Sequence, residues 1–375
     1  MTSNPGLVRV ITHLPVGGIE RRLVAVLPRL AAKGWRASVI VIRERGALAD
    51  ELEASGIPIR VMPFMSRFSP PRVREMAAYL REQKTDVLHS HMYRSNAPAA
   101  VAGHLAKTPA VFAQVHNVGT WETGRQAFVD RWLCRYRTGI IAVSQAVQRD
   151  VVARLRIPES KVPVLYNGID TDAFQPDAKA RERIRAEIGL RADVRMVLVP
   201  ARLHPNKNVL GMLSAFQRVI HGGFNGKARL VFAGAGPMEK DLRKAIADGG
   251  LSHEVILLGE RNDMPHLYNA ADLVALPSFK EGFSNAVIEA LGCGKPVLAT
   301  DVGGNAEAIV APAHGWIVPP GDAPALERAL AAALAEGDAL AARAPACRAR
   351  AMDFSLDALV DNTHRLYCGA LGIEA

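Results

Sequence analysis

Cysteine is scarce in this chain. Its 375 residues hold four, Cys134, Cys293, Cys347 and Cys368, far apart and with no C-x-x-C pair. That spacing excludes a disulfide-stapled scaffold and offers no zinc-ligand pattern, so the four read as reduced thiols of a cytoplasmic protein. No apolar run reaches the roughly 18 residues that a membrane helix requires. The opening Met-Thr-Ser-Asn-Pro-Gly lacks the basic start and apolar stretch of a secretory leader. Aromatic residues are only 6% and are not interleaved with basic residues on a strand face, which argues against a nucleic-acid-binding surface. Short-period repeats are missing, and the one biased stretch, the Ala-rich 323–335, is simply a strong helix former. What is present is an ordinary globular composition, 49% hydrophobic and 22% charged. This excludes disorder and collagen, and the length suggests two domains.

Negative charge is what the first half is short of. Residues 1–175 carry 24 Lys and Arg against 14 Asp and Glu, while residues 176–375 carry 22 against 23, so the whole +9 excess lies in the first half. Such a half attracts an anionic partner: a phosphorylated substrate, an anionic membrane surface, or nucleic acid.

Short β-rich runs alternate with amphipathic stretches throughout. Strands are expected at 7–12, 37–42, 59–62, 86–90, 111–115 and 140–143, then at 196–199, 229–233, 255–258, 273–276 and 296–300. A helix over 19–32 places Leu23, Val26, Leu27 and Leu30 on one face, and one over 71–83 does so with Val73, Met76, Ala77 and Leu80. Helices over 208–220 and 285–291 are the clearest in the second half. Continuous apolar strands separated by helices imply parallel sheets covered on both faces, in an α/β fold of two Rossmann-like domains. Tyr166-Asn167-Gly168-Ile169-Asp170 carries a turn signal and reads as the linker. Residues 1–170 then form an N-terminal domain, 171–355 a C-terminal one, and 356–375 a terminal helix crossing back to the first.

Ligands of such sheets bind beyond the carboxyl ends of the strands, so the loops there carry the function. Gly17-Gly18 follows the first strand and opens a helix, where paired glycines admit close backbone approach and helix N–H groups face an anion. Arg202 and Lys207 flank the loop after the first strand of the second domain, two cations able to neutralise a diphosphate. Glu281-Gly282-Phe283-Ser284-Asn285 turns from a strand into a helix that carries Glu289 eight residues after Glu281. The backbone of Phe283, Ser284 and Asn285 can face a phosphate, and a carboxylate can accept both ribose hydroxyls. Two glutamates also suit a glycosidase pair, but here they flank a phosphate-cradling turn. His116 ends the fifth strand. His89, His91 and Tyr93 follow the fourth. His89-x-His91 could form half of a metal site, yet no third ligand is evident and no metal is expected.

Together these motifs resemble the retaining GT-B glycosyltransferases, specifically the large family four with its E-x7-E signature, over essentially the whole chain. Gly17-Gly18 is similar to that family's glycine loop, Arg202 and Lys207 to its diphosphate pair, and Glu281 through Glu289 to its signature. Gly292-Cys293-Gly294-Lys295-Pro296-Val297 and Gly303-Gly304-Asn305-Ala306-Glu307 match the runs that follow it. Ala201 stands where the family usually has Gly, and Asn208 where Gly often follows the lysine. The resemblance implies a GT-B fold, two Rossmann-like domains facing each other across a cleft. The second would hold a nucleoside-diphosphate sugar, UDP-linked in most of the family, as substrate rather than cofactor.

It further implies that Arg202 and Lys207 bind the diphosphate, that Glu289 binds the ribose, and that Glu281 with the backbone of 282–285 holds the sugar and distal phosphate. The loop at Arg261 would meet the base, and His116 the sugar. His91 and Tyr93 would contact the acceptor, a glycan that the basic first half suggests is lipid-linked and reached from the inner membrane face. Arg67, Arg72, Arg74 and Arg81 around one helix, and Arg125, Arg131, Arg135 and Arg137 around another, are the candidate contacts with anionic lipid. A nucleotide-sugar epimerase of related fold, a phosphorylase carrying pyridoxal phosphate and a nucleic-acid-binding protein are the competing readings.

Overall fold

A computed structural model describes residues 4–15, 17–64, 69–121 and 123–375. Val16 of the first glycine loop and Arg67 of the basic stretch lie outside the described residues. The chain forms two compact units, Met1–Gly168 with Leu356–Ala375, and Ile169–Ser355.

In the first unit β1 (Gly6–Ile11), β2 (Arg36–Val41), β3 (Ile59–Val61), β4 (Thr85–His91), β5 (Ala110–Val115) and β6 (Gly139–Ala142) make one parallel sheet in the order β3-β2-β1-β4-β5-β6. In the second, β7 (Arg195–Pro200), β8 (Ala228–Ala233), β9 (Val255–Leu257), β10 (Leu273–Leu276), β11 (Val297–Thr300) and β12 (Gly315–Val318) repeat it as β9-β8-β7-β10-β11-β12. The expectation of one architecture used twice is what the structure shows. β12 is the strand that the sequence pattern misses. It is a four-residue edge strand with half-exposed Trp316 and Ile317, and it is framed by Gly315 and by Pro319-Pro320-Gly321, which read as turn.

Successive strand residues face opposite sides of a sheet. In the first unit Leu7, Ile11, Val87 and Phe112 join the core under the helices Gly18–Ala32 and Leu356–Leu371. Val8, Val10 and Leu88 join the other face, under the helix Pro70–Glu82. That helix buries Val73, Met76, Ala77 and Leu80, the four residues its periodicity selects. Its apolar stripe is therefore already covered by the sheet, which removes it as a lipid-facing element even though Arg74 and Arg81 are exposed. The helix Gly124–Leu133 differs. It buries only Asp130 and Leu133 and leaves Phe128 71% and Trp132 43% exposed. Arg125, Arg131 and Arg135 lie exposed around them, whereas Arg137 is buried against Asp130 at 2.5 Å and is no surface charge. All four cysteines are free, and burial pushes the Cys293 and Cys347 thiols up to about 12.

The terminal helix Leu356–Leu371 is core rather than appendage. Its Tyr367 is 0% exposed, stands edge-on to Trp35 at 5.3 Å between centroids, and lies 2.5 Å by its hydroxyl from His89 Nδ1. Removing a buried aromatic ring costs about 3–5 kcal/mol. Tyr367→Ala should therefore destabilise the first unit by about that amount, measured by urea denaturation, whereas Tyr367→Phe should forfeit only the hydroxyl's bond, about 1–3 kcal/mol.

Candidate active site

In the second unit the strand order reverses between β7 and β10, and the two loops that open there carry Arg202 and Lys207 on one side and Lys280 and Glu281 on the other. Lys207 ends a short turn, Pro205–Lys207, after β7. Its Nζ lies 2.5 Å from Glu281 Oε1, and the fully buried Ser278, two residues past β10, donates to the same oxygen at 2.8 Å. The Phe279 N–H donates to the Asn206 carbonyl at 2.8 Å, which ties the loops together by backbone as well. Glu281 is only 8% exposed, so it is held by named partners and not by solvent. Arg202 is exposed and forms no ion pair among the described residues. Its fork is available to a ligand.

The departures from the family pattern fit this backbone. Asn208 adopts φ 51°, ψ 40°, the left-handed region that asparagine tolerates better than other residues with a side chain. Ala201 is absent from the positive-φ residues, so alanine costs nothing there.

Neighbouring loops brace the pair. A Cβ on Gly234 would stand 2.2 Å from the Ala201 carbonyl oxygen and one on Gly236 2.4 Å from that of Leu203, so only glycine lets the loop after β8 lie against the loop after β7. Gly303 does the same beneath the signature turn, where a Cβ would meet the Glu281 and Gly282 carbonyls at 2.5 and 2.6 Å. The Gly304 N–H completes the brace by donating to Gly282 at 2.7 Å. Ser284 precedes the helix Asn285–Gly292, and its side chain makes no cap bond. Phe283 turns its ring onto Phe354 at 5.1 Å between centroids, leaving its backbone to the turn. Glu289 is half-buried and receives the Tyr268 hydroxyl at 2.8 Å on Oε2. Burial, then the Glu289 charge, pushes that tyrosine well above its ordinary value, so it stays a donor.

Arg261 lies in the loop after β9. Its guanidinium grips Asp263 with two bonds of 2.8 and 2.7 Å and Glu187 with two of 2.7 and 3.5 Å. Its charge is already matched by these two carboxylates.

In the first unit, Gly17 caps the helix Gly18–Ala32, and a Cβ on it would stand 2.4 Å from Glu20 Oε2. The glycine thus makes room for a carboxylate of the helix's own first turn, which adds an anion to the place where the sequence suggested a bound one. Burial raises the Glu20 pKa. His91 ends β4 with Met92 in the left-handed region at φ 68°. That conformation costs a non-glycine residue about 1–2 kcal/mol. Tyr93 is half-buried one residue on. His91 Nδ1 lies 3.3 Å from His116 Nε2, so the structure brings these two predicted residues together. The ring nitrogens of His89 are taken by Tyr367 and Gln114, at 2.5 and 3.1 Å. Those of His91 are taken by Arg9 and His116, at 2.7 and 3.3 Å, so all four ring nitrogens are held in hydrogen bonds.

Arg9, Gln114, Ser278, Tyr268, Gly234 and Gly236 were not singled out by sequence. Arg9 had a signal, a charge inside the apolar run Leu7–Ile11. So did Gly234-Ala235-Gly236, directly after a strand. Ser278 and Tyr268 had none, because their roles depend on which carboxylate they meet.

The family described as "Glycosyl transferases group 1" matches residues 180–350, and "Glycosyltransferase Family 4" matches residues 16–173. An uncharacterised glycosyltransferase of Methanocaldococcus jannaschii is 28% identical over 326 residues, 81% of this chain and 82% of that one. The UDP-Gal:α-D-GlcNAc-diphosphoundecaprenol α-1,3-galactosyltransferase of Escherichia coli is 26% identical over 279 residues, 71% of this chain and 72% of that one. Among solved structures, HepE of Anabaena in complex with UDP superposes with a TM-score of 0.86 at 23% identity, covering 97% of this chain and 99% of that one.

The buried Glu20 yields a pH prediction. A carboxyl with a raised folded pKa binds its proton more readily in the native state, so stability falls as pH rises through the window above the ordinary carboxylate range. Glu20→Gln removes that dependence. The variant should melt higher than the wild type at pH 8, and the gap should close towards pH 4, as thermal denaturation across the series would show. A gap independent of pH would contradict it.

Proposed function

We propose that the chain is a GT-B glycosyltransferase, a reading that both family models and the fold support, and that it moves a sugar from a UDP-sugar to a lipid-linked glycan, with retention at the anomeric carbon, in cell-envelope polysaccharide, lipopolysaccharide or exopolysaccharide synthesis. The observation that carries the donor site is the Lys207–Glu281 pair at the β7/β10 reversal, beside the free fork of Arg202 and the start of the helix Asn285–Gly292. As the sugar leaves, negative charge grows on the departing diphosphate. Lys207, Arg202 and the backbone N–H groups of 283–285 meet that charge with no metal required. Lys207 leans on Glu281 until a phosphate competes for it, and Ser278 keeps Glu281 in place afterwards. Glu281 then positions the sugar, and the leaving phosphate takes the acceptor proton. Glu289, oriented by Tyr268, receives the ribose hydroxyls. In the first unit His116 contacts the sugar, and His91 and Tyr93 border the acceptor.

UDP as the nucleotude class rests on two similarities, the UDP complex of HepE and the UDP-galactose donor named for the Escherichia coli relative. That relative also acts on a diphosphoundecaprenol-linked sugar, and this supports a lipid-linked acceptor here. No helix among the described residues is long and apolar enough to cross a membrane. The exposed Phe128 and Trp132, ringed by Arg125, Arg131 and Arg135, are the surface we assign to the inner membrane face, since aromatic rings settle among headgroups and guanidinium groups attract anionic lipid.

Three measurements test this reading. UDP should raise the melting temperature of the protein in EDTA, and Lys207→Ala should abolish the shift. Lys207→Ala and Glu289→Ala should each lower turnover about a hundredfold, the size of one lost preorganised charge partner. Near wild-type turnover in both would reject the site. The protein should also float with phosphatidylglycerol vesicles at low salt, and the double variant Phe128→Ser, Trp132→Ser should not. Equal flotation of the two would reject the membrane surface.

A further inference from the structure

Arg9 is the anomaly of the first unit. It sits mid-strand in β1, is 5% exposed, pairs in register with His89 of β4, and has no carboxylate partner among the described residues. Burying a charge without a counter-ion costs several kcal/mol. Its neighbours are the Tyr367 ring, 5.7 Å from the guanidinium carbon, and His91, whose Nε2 is 2.7 Å from Nη1. Alternation along three adjacent strands puts Arg9, His89, His91 and Gln114 on one face, and His116 continues the β5 series one residue beyond its end.

Resting on the transfer reaction proposed above, we propose that Arg9 and His91 are positioning residues that lock His116 as a neutral imidazole carrying its proton on Nδ1, so that His116 meets the substrate as a hydrogen-bond donor and not as an acid or base. Arginine has donors only, so the His91 nitrogen facing Arg9, Nε2, accepts and carries no proton. The His91 proton is therefore on Nδ1, which faces His116 Nε2 at 3.3 Å with the rings stacked at 5.5 Å. His116 Nε2 accepts in turn, which leaves the proton on its Nδ1. That nitrogen has no hydrogen-bond partner among the described residues.

The surroundings act the same way from every side. Arg9 comes from β1, His89 and His91 from β4, Arg22 from the helix Gly18–Ala32, and Tyr367 from the terminal helix. Burial, with the charges of Arg22 and Arg9, pushes His116 down to about 3 and holds His91 and His89 well below their ordinary range. An N–H fixed in this orientation selects for an oxygen that accepts, a sugar hydroxyl or ring oxygen. It cannot remove a proton from the acceptor hydroxyl, which is consistent with leaving that proton to the departing phosphate.

The test is imidazole ¹⁵N–¹H spectroscopy on the full chain, with the His116 signals identified through His116→Asn. The wild type should show His116 neutral and protonated on Nδ1 from pH 5 to pH 9. An Nε2–H tautomer, or protonation of His116 near pH 6.5, would overturn the proposal whatever any variant does. In Arg9→Met the tautomer should become mixed and kcat should fall about tenfold, the size of one hydrogen bond lost in the transition state. The donor KM should stay within about twofold, and a pH inflection absent from the wild type should appear. Arg9→Lys, which keeps a donor, should recover most of the kcat. Wild-type kcat and tautomer in Arg9→Met would overturn the role of Arg9. The tautomer is read without substrate, so a failure of UDP to bind would count against the proposed donor and not against this lock.

Discussion

Both units depend on the point where a parallel strand order reverses. On one side of that point the crossover helices run to one face of the sheet, and on the other side to the opposite face. The two loops leaving the central strands therefore diverge and leave a gap lined by backbone and by whatever side chains the loops carry. In the second unit the gap between β7 and β10 holds Lys207 and Glu281. In the first it holds the glycine loop after β1 and His91 at the end of β4. One topological rule thus positions two chemically different sets of residues.

The two sites solve opposite electrostatic problems. The second unit must hold a carboxylate and a lysine close together without spending both on each other. Ser278 supplies Glu281 with a second bond, so the carboxylate stays oriented when Lys207 turns to a ligand. The first unit instead gathers positive or protonatable groups, Arg9, Arg22, His89, His91 and His116, in a buried space. Desolvation disfavours the charged imidazole, and the neighbouring guanidinium groups disfavour it again. The result is a file of neutral rings ordered by one obligate donor, with no proton free to wander.

Burial also sorts the basic excess of the first half into different tasks. Arg137 is locked against Asp130, and Arg9 lies inside the sheet. Arg125, Arg131 and Arg135 remain on the surface beside two exposed aromatic rings. A net charge of one sign cannot distinguish these cases. The helix Pro70–Glu82 makes the same point, since its amphipathic stripe fits a lipid surface or a sheet equally well by periodicity, and the sheet covers it.

Strand and helix placement was legible from sequence because a doubly covered parallel strand must be apolar throughout and a surface helix must repeat every 3.6 residues. Eleven of the twelve described strands were placed from such patterns, and the edge strand β12, four residues between His314 and Pro319, was not. The Glu281–Glu289 spacing, the Arg202 and Lys207 loop and the glycines at 303 and 304 were legible too, since each lies next to a strand end in the chain itself. Tertiary structure alone decided the partners. Lys207 meets Glu281 across 74 residues of sequence, Tyr268 meets Glu289 across a helix junction, and Tyr367 reaches His89 from the far end of the chain. It also decided that Arg261 is already paired and that Arg9 faces His91. Local periodicity constrains which face a residue takes, but hydrogen bonds join atoms that only the packed sheet brings within 3 Å.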